Sequence, residues 1–130
     1  MLHIVLAGKE HDVLAEFGTE LHQADEVDIR QVDSAAAALN LIKERCVDLV
    51  VVGQSLTDTT PIDCVMQLIR EKPMVNCAML SAMDRDAFHE ATEGLGILMQ
   101  LQPKPCSEEA VVLLSKIELL SSLLSNGAEN

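Results

Sequence analysis

The chain has 130 residues, the size of one ordinary domain and too short for two independent cores. Its formal net charge of −12, from 21 acidic and 9 basic residues, would repel a nucleic-acid backbone, so we expect no DNA or RNA partner. Apolar residues make up 48% of the chain but never form a run of about 20 residues, so the sequence predicts no membrane span. With no signal segment at the start, we expect a cytoplasmic protein.

Strand-like and helix-like segments alternate in the first half of the chain. In order they are a strand at 2–7, a helix at 11–25, a strand at 27–32, an alanine-rich helix after the candidate N-caps Asp33 and Ser34, and a strand at 47–52. The strand at 47–52 (VDLVVV) is almost continuously apolar, which is typical of a central parallel strand buried on both faces. We expect it in the middle of the sheet.

The second half repeats the alternation. In order it contains a helix at 61–72, a strand at 75–81, a helix at 84–94, a strand at 97–102 and a last helix for which Ser107 is the expected cap. Thr60 followed by Pro61 indicates the start of a helix, and Asp84 is the N-cap candidate of the next one. We expect the domain to cover residues 1–125 and the tail at 126–130 to be disordered.

Five strands that alternate with five helices over short connections predict an α/β fold with a parallel sheet covered on both faces. The expected architecture is a doubly wound (βα)5 unit with the flavodoxin-like strand order 2-1-3-4-5. In such sheets the functional crevice lies at the carboxyl ends of the strands, at the point where the strand order reverses. The residues that end strands 1, 3 and 4 are therefore the candidates for function.

Residues at those positions carry a family resemblance. The strand DLVVV ends at Gly53, the strand AMLS ends at Ser81, and the pair Lys104-Pro105 follows strand 5. With this element order and these intervals, the chain resembles the receiver domain of bacterial two-component response regulators over residues 1–125. For a typical member the resemblance implies a strand 3 aspartate that takes a phosphoryl group from a partner kinase, a magnesium ion held by an acidic pair after strand 1, and a strand 4 hydroxyl and a lysine that contact the phosphoryl group.

The chain departs from this pattern at the chemistry itself. Gly53 stands where the resemblance implies the phospho-acceptor aspartate, and Ala7 and Gly8 stand where it implies the acidic pair. None of the three has a side chain that attacks phosphorus or ligates a hard cation. Only Ser81 and Lys104 remain, so the sequence predicts a degenerate phosphorylation pocket, with no catalytic residue, no metal and no cofactor.

Other carboxylates do not replace the missing ones. Asp48 lies near the opposite end of strand 3, roughly 16 Å from Gly53, and Asp58 lies in the loop beyond it. Glu10 is either a partner for Lys104 in an internal ion pair or a solvated loop carboxylate. The sequence leaves these two interpretations of Glu10 open.

Cysteine and histidine residues show no metal-binding spacing. The cysteines form no CxxC pair and lie in or beside apolar runs, so we interpret them as packed, reduced thiols; they are Cys46, Cys64, Cys77 and Cys106. The histidines form no HxxxH or HxH pair. We expect no zinc site.

Two functions remain open. The first is a pseudo-receiver module for phosphorelay signal transduction, without enzymatic activity, that binds a protein partner independently of phosphorylation. The second is a noncanonical phospho-acceptor or small-ligand sensor that uses hydroxyls of the crevice loop, such as Ser55 or Thr57. The first requires no additional chemistry, whereas a hydroxyl in this loop lacks both an activating base and a metal.

The last helix indicates where a partner binds. Its leucines continue beyond the length that one sheet face needs, and an exposed aliphatic stripe usually belongs to an interface. We expect either docking on a histidine kinase or another regulator, or a homodimer through the last helix and strand 5. The candidate contact residues are Leu101, Leu119, Leu120, Leu123 and Leu124; the alternative is that the whole stripe is core.

Overall fold

The computed structural model describes residues 2–22 and 26–129, with side chains described as far as residue 120. Strands and helices alternate through this part of the chain. The strands are β1 (Leu2–Ala7), β2 (Val27–Val32), β3 (Leu49–Val52), β4 (Asn76–Leu80) and β5 (Met99–Leu101). The helices are α1 (His11–Leu21), α2 (Ala35–Glu44), α3 (Pro61–Glu71), α4 (Arg85–Ala91) and α5 (Ser107–Glu129).

The strands form one parallel sheet in the order β2-β1-β3-β4-β5. The predicted flavodoxin-like order is confirmed. In the register of the two central strands, Ala7 pairs with Val52, so that β1 and β3 end side by side. The chain crosses over between strand ends through helices, and the carboxyl ends of all five strands lie at one edge.

Two apolar clusters cover the two faces of the sheet. Successive residues of a strand point to opposite faces, so Leu49 and Val51 belong to the cluster under α1 and α5, whereas Val50 and Val52 belong to the one under α2 and α3. All of β3 is buried, as the prediction of a central strand requires. The rigid β3 backbone therefore delivers Gly53 to the crevice in a fixed position.

Three helix starts are held by the side chains that the sequence predicts. Ser34 accepts a hydrogen bond from the Ala37 N–H (3.1 Å), and Thr60 and Asp84 accept equivalent bonds at the starts of α3 and α4. The predictions of Ser34, Thr60 and Asp84 as N-caps are confirmed. The prediction of Asp33 is wrong because Ser34 caps α2, and Ser107 is the first residue inside α5 instead of its cap. The helix predicted over 11–25 ends at Leu21, and residues 23–25 lie outside the described residues.

The last helix extends beyond the predicted end of the domain. α5 continues to Glu129, past residue 125. Side chains from 121 onward lie outside the described residues, so a separate tail at 126–130 stays a prediction. No helix in the described part of the chain combines the length and apolarity that a membrane crossing requires.

The packed-thiol interpretation holds for only two of the cysteines. Cys64 and Cys77 are buried, and burial raises the pKa of each thiol to about 12. Cys46 and Cys106 are exposed, because they lie in connections that follow α2 and β5 instead of in the apolar runs beside them. The prediction of four packed thiols is wrong at these two positions.

We expect two of the four thiols to react quickly with a disulfide reagent such as Ellman's reagent at pH 8 in the folded protein, and all four in denaturant. The fast pair should map to Cys46 and Cys106 by peptide mass spectrometry. Rapid modification of Cys64 or Cys77 without denaturant would contradict the described packing.

Candidate functional site

The predicted crevice forms where β1 and β3 end. The Gly53 N–H donates to the Ala7 carbonyl (2.7 Å), and a side-chain carbon placed on Gly8 would lie 3.2 Å from the Gly53 Cα. Ala7, Gly8 and Gly53 are all buried. The structure therefore brings together the three positions at which the resemblance implies carboxylates, and their backbones come close enough to touch.

The carboxylate of Glu10 lies in the space between the two glycines. Its Oε2 accepts a hydrogen bond from the Gln54 N–H (2.7 Å), and a side-chain carbon built on Gly53 would lie 2.7 Å from its Cδ. Its Oε1 is buried, with no hydrogen-bond partner among the described residues. Within those residues Glu10 and Lys104 form no ion pair, and Glu10 is not a fully solvated loop residue either. Both sequence-based interpretations of Glu10 are therefore wrong.

Backbone hydrogen bonds join the loop after β3 to the loops after β1 and β2. The Lys9 N–H donates to the Ser55 carbonyl (2.8 Å), and the Thr57 N–H donates to the carbonyl of Asp33 (3.0 Å). Ser55 and Thr57 have exposed side chains at the mouth of the crevice, whereas the Thr60 hydroxyl is engaged as the cap of α3. The backbone of the loop is thus held by hydrogen bonds to the neighbouring loops, whereas the Ser55 and Thr57 side chains face solvent.

Asp58 lies in this loop and connects it to the start of α2. Its carboxylate accepts hydrogen bonds from the Ala35 N–H (2.9 Å) and the Ala36 N–H (3.0 Å), at the start of that helix. These two bonds hold the pKa of the Asp58 carboxyl below its usual value, because they stabilise the ionised form. Asp58 is therefore a structural residue, consistent with its exclusion as a replacement acceptor. Asp48 lies at the other end of the sheet, where its carboxylate accepts the His3 N–H (2.8 Å).

Ser81 is held in the turn that follows β4. Its N–H donates to the carbonyl of Leu101 (2.9 Å), and its Oγ accepts from the Met83 N–H (3.1 Å). Gln100 donates to the Met83 carbonyl (2.7 Å) and so closes the same turn. The Ser81 hydroxyl is half-buried and bonded within its own loop.

Lys104 is exposed and forms no ion pair among the described residues. The loop around it is held by Glu109, whose carboxylate accepts from the Gln102 N–H (3.0 Å) and the Cys106 N–H (3.1 Å). The sequence did not indicate this role of Glu109. A carboxylate in the first turn of a helix, directly after a loop with free N–H groups, is the signal that predicts it.

The donor set does not fit the magnesium ion that the resemblance implies. Magnesium requires near-octahedral oxygen coordination, and Ala7, Gly8 and Gly53 offer no side-chain oxygen. Glu10 is the one carboxylate that enters the space, and it is bonded to Gln54. Across the described chain no group of three or more His, Cys, Asp or Glu residues is placed to hold a metal ion.

An apolar cleft of about 400 Å³ opens beside Ser81, between α3 and α4. Its lining includes Ile62, Met79, Met83 and Phe88, with Thr60 and Gln54 at the polar edge. The sequence located the polar crevice but not this neighbouring cleft, because helix spacing is not visible in hydrophobic periodicity. The cleft offers contact to a small apolar group and no catalytic set.

The surface of α5 differs from the predicted contact list. Leu119 is 62% exposed and Leu120 is half-buried, but Leu101 is fully buried in the core, because β5 lies under α5. Leu101 is therefore not a surface contact.

Leu123 and Leu124 lie outside the residues whose side chains are described. Val111 and Val112 add 63% and 44% exposed side chains to the same helix.

Comparison with known proteins identifies the fold. No protein-family model and no curated protein matches the chain, whereas 216 chains among solved structures do. The signal receiver domain of an HD domain-containing protein from Pseudomonas fluorescens Pf-5 superposes with a TM-score of 0.81, 18% identity, and coverage of 95% of this chain and 92% of that one. The chain has the receiver-domain fold.

Two further receiver domains agree. That of the putative response regulator NarL from Mycobacterium tuberculosis has a TM-score of 0.75 and 18% identity, and covers 90% of this chain and 96% of that one. That of a Francisella response regulator has a TM-score of 0.78 and 15% identity, with coverage of 93% and 99%. At this identity the likeness is one of fold, and the chemistry has to be argued from the residues in the crevice.

We expect Asp58→Asn to lower the free energy of unfolding by about 1 kcal/mol at pH 7, since it weakens the bonds to the start of α2. The folded-state pKa of Asp58 is depressed, so its contribution is fully present above the unfolded value of 3.8 and is lost as the pH falls through the folded value. Urea unfolding of both proteins between pH 7 and pH 3 should show the difference shrinking with acid. Glu16→Gln on the exposed side of α1 is the control; a difference that stays constant with pH would contradict this role.

Proposed function

We propose that the chain is a receiver-like signal-transduction module that lacks a phospho-acceptor and acts by phosphorylation-independent protein–protein interaction. The observation that carries this proposal is the content of the crevice. Gly53 and Gly8 face the Glu10 carboxylate at the place where the resemblance implies an acceptor aspartate and a metal. Phosphoryl transfer depends on a positioned nucleophile and on neutralisation of the incoming charge, and these residues supply neither.

We also propose that the module is not an enzyme. The Ser81 Oγ accepts a backbone N–H and has no base among its described partners. The buried thiols of Cys64 and Cys77 stay protonated at neutral pH, because burial raises the pKa of each to about 12. Binding is then the function that the remaining surface supports.

The face formed by α4, β5 and α5 is the surface that we propose for the partner. It contains a cleft of about 660 Å³, with Arg85, His89 and Lys116 among its lining residues. On α5, Leu119 lies two turns after the exposed Val112, so the two side chains share one side of the helix. This combination of exposed apolar and cationic groups suits a homodimer, because the rest of the chain is acidic. It also suits docking on a histidine kinase or another regulator. A partner of that kind would place the module in the cytoplasm.

The second candidate function is a small-ligand sensor or noncanonical phospho-acceptor at the crevice. It is favoured by the apolar cleft of about 400 Å³ beside Ser81 and by the exposed hydroxyls of Ser55 and Thr57. Transfer to a neutral hydroxyl requires a base to take its proton, and neither hydroxyl bonds to one among the described contacts. Phosphorylation-independent binding therefore stays the preferred function.

The decisive experiment records amide chemical shifts before and after addition of magnesium with beryllofluoride or acetyl phosphate. We expect no saturable change at Ser81, Lys104 or residues 53–60. The double variant Ser55→Ala/Thr57→Ala separates the two functions, since a magnesium-dependent change that it abolishes would establish the hydroxyl acceptor. Any saturable change in the wild type would overturn the proposal that the crevice accepts no phosphoryl group.

We expect the wild type to self-associate in a concentration-dependent manner in sedimentation velocity experiments, and Val112→Glu and Leu119→Glu each to weaken the dimer by about tenfold or more. The added charge would face a desolvated apolar contact. Met74→Glu changes another exposed apolar residue, 78% exposed in the α3–β4 connection, and should leave association unchanged. A wild type that stays monomeric at every concentration would exclude the homodimer and leave a different protein as the partner.

A further inference from the structure

Glu10 stands at the start of α1 but does not serve that helix. It is the N-cap residue, a position where a short acidic side chain usually accepts N–H bonds of the first turn. The Glu10 side chain makes no such bond, and its Oε2 instead accepts the Gln54 N–H on the other side of the crevice (2.7 Å). One side chain therefore connects the loop after β1 with the loop after β3.

The two glycines that face Glu10 are explained by space and not by backbone conformation. Among the described glycines a positive φ occurs only at Gly94 and Gly96, so Gly8 and Gly53 have dihedral angles that other residues adopt. The three heavy atoms nearest to a side-chain carbon built on Gly53 all belong to the Glu10 carboxyl group. On Gly8 the nearest would be the Glu10 Oε1, at 2.5 Å. A side chain at Gly53 and the Glu10 carboxylate thus exclude one another.

We propose that the Glu10 carboxylate is an internal substitute for the missing strand-end side chain: it occupies the space beside Gly53 and holds the β1–α1 and β3–α3 loops in one arrangement. This role rests on the proposed function, since a crevice that received a phosphoryl group would have to leave this space open. Because the carboxylate belongs to the chain, its occupancy depends on no phosphodonor and no magnesium. The loops of the crevice then keep one arrangement, and the proposed partner surface is formed in that arrangement.

Burial of the Glu10 carboxylate has a free-energy cost that other contacts must offset. The Glu10 Oε1 is buried without a hydrogen-bond partner among the described residues, and burial of an unsatisfied polar atom opposes folding. The charge-assisted bond to Gln54, together with the bond from Lys9 N–H to the Ser55 carbonyl, holds the loops against that cost. Loss of the carboxylate should release the Gln54 amide first.

The test is a double-mutant cycle with Glu10→Ala and Gly53→Ala. In the wild-type background, Gly53→Ala should displace the carboxylate and lower Tm by about 3 °C or more. In the Glu10→Ala background the same substitution should leave Tm unchanged or raise it, because the space is empty and alanine reduces the entropy of the unfolded chain. Hydrogen exchange at the Gln54 amide should be about tenfold faster in Glu10→Ala and in Gly53→Ala than in the wild type.

Two controls make the result specific. Gly8→Ala should stay destabilising in both backgrounds, because its added carbon would also lie 3.2 Å from the Gly53 Cα and 3.1 Å from a Leu14 methyl carbon. Glu16→Ala, on the exposed side of α1, should change neither Tm nor the Gln54 exchange rate. Equal effects of Gly53→Ala in both backgrounds, or an unchanged Gln54 exchange rate in Glu10→Ala, would overturn the role of Glu10.

The cycle is independent of the beryllofluoride experiment. If magnesium and beryllofluoride change the wild-type spectrum while the cycle still shows coupling, the proposed function fails, and with it the role of Glu10 as a permanent substitute; Glu10 is then only the occupant of the resting crevice. If the spectrum is unchanged and the cycle is additive, the module lacks an acceptor but Glu10 is not its substitute.

Discussion

The close approach of β1 and β3 at their carboxyl ends is the constraint on which the rest of the crevice depends. The Gly53 N–H bonds to the carbonyl of Ala7, and both strands are buried on both faces, so neither end is free to move away. In this chain the Glu10 carboxylate occupies the space between the two backbones. The identity of that side chain, and the loop that supplies it, decides what the crevice does.

In this chain the side chain comes from a loop and not from a strand end. A carboxylate on β3 would be held by the rigid sheet and would point out of the crevice toward a substrate. Glu10 reaches in from the start of α1, and its Oε2 is already bonded to the Gln54 N–H. The charge is therefore directed at the protein's own backbone, as the loop arrangement that we propose requires.

Much of the fold follows from local sequence patterns because each pattern has one physical cause. Period-two burial and continuous apolar runs identify the strands, and the hydroxyl or carboxylate residues Ser34, Thr60 and Asp84 identify three helix starts. Short connections and the right-handed crossover predict a parallel sheet, and the order 2-1-3-4-5 is expected because it is common among small sheets of this type. The three empty positions at Ala7, Gly8 and Gly53 were equally visible, since they depend only on where strands 1 and 3 end.

The occupant of the crevice was not predictable in the same way. Periodicity places Glu10 three residues after the end of β1 but does not determine whether its side chain turns to its own helix, to Lys104 or to Gln54. That choice depends on the space left by Gly8, which is near in the sequence, and by Gly53, which is far along the chain, and on the bond to the Gln54 N–H. Burial of Leu101 and exposure of Cys46 and Cys106 likewise depend on how α5 and the connections pack, which local patterns do not encode.

The crevice is connected to the rest of the surface through the turn that follows β4. Ser81 follows β4, and its N–H donates to the carbonyl of Leu101 at the end of β5, so a backbone hydrogen bond joins the crevice edge to the strand beneath α5. Gln100 on β5 donates to the Met83 carbonyl in the same turn. The loop that would respond to a phosphoryl group is thereby tied to the strand that supports the exposed α5 residues. If the crevice does not change state, this connection holds the α4–β5–α5 face in one shape, and regulation then has to come from the concentration or the state of the partner.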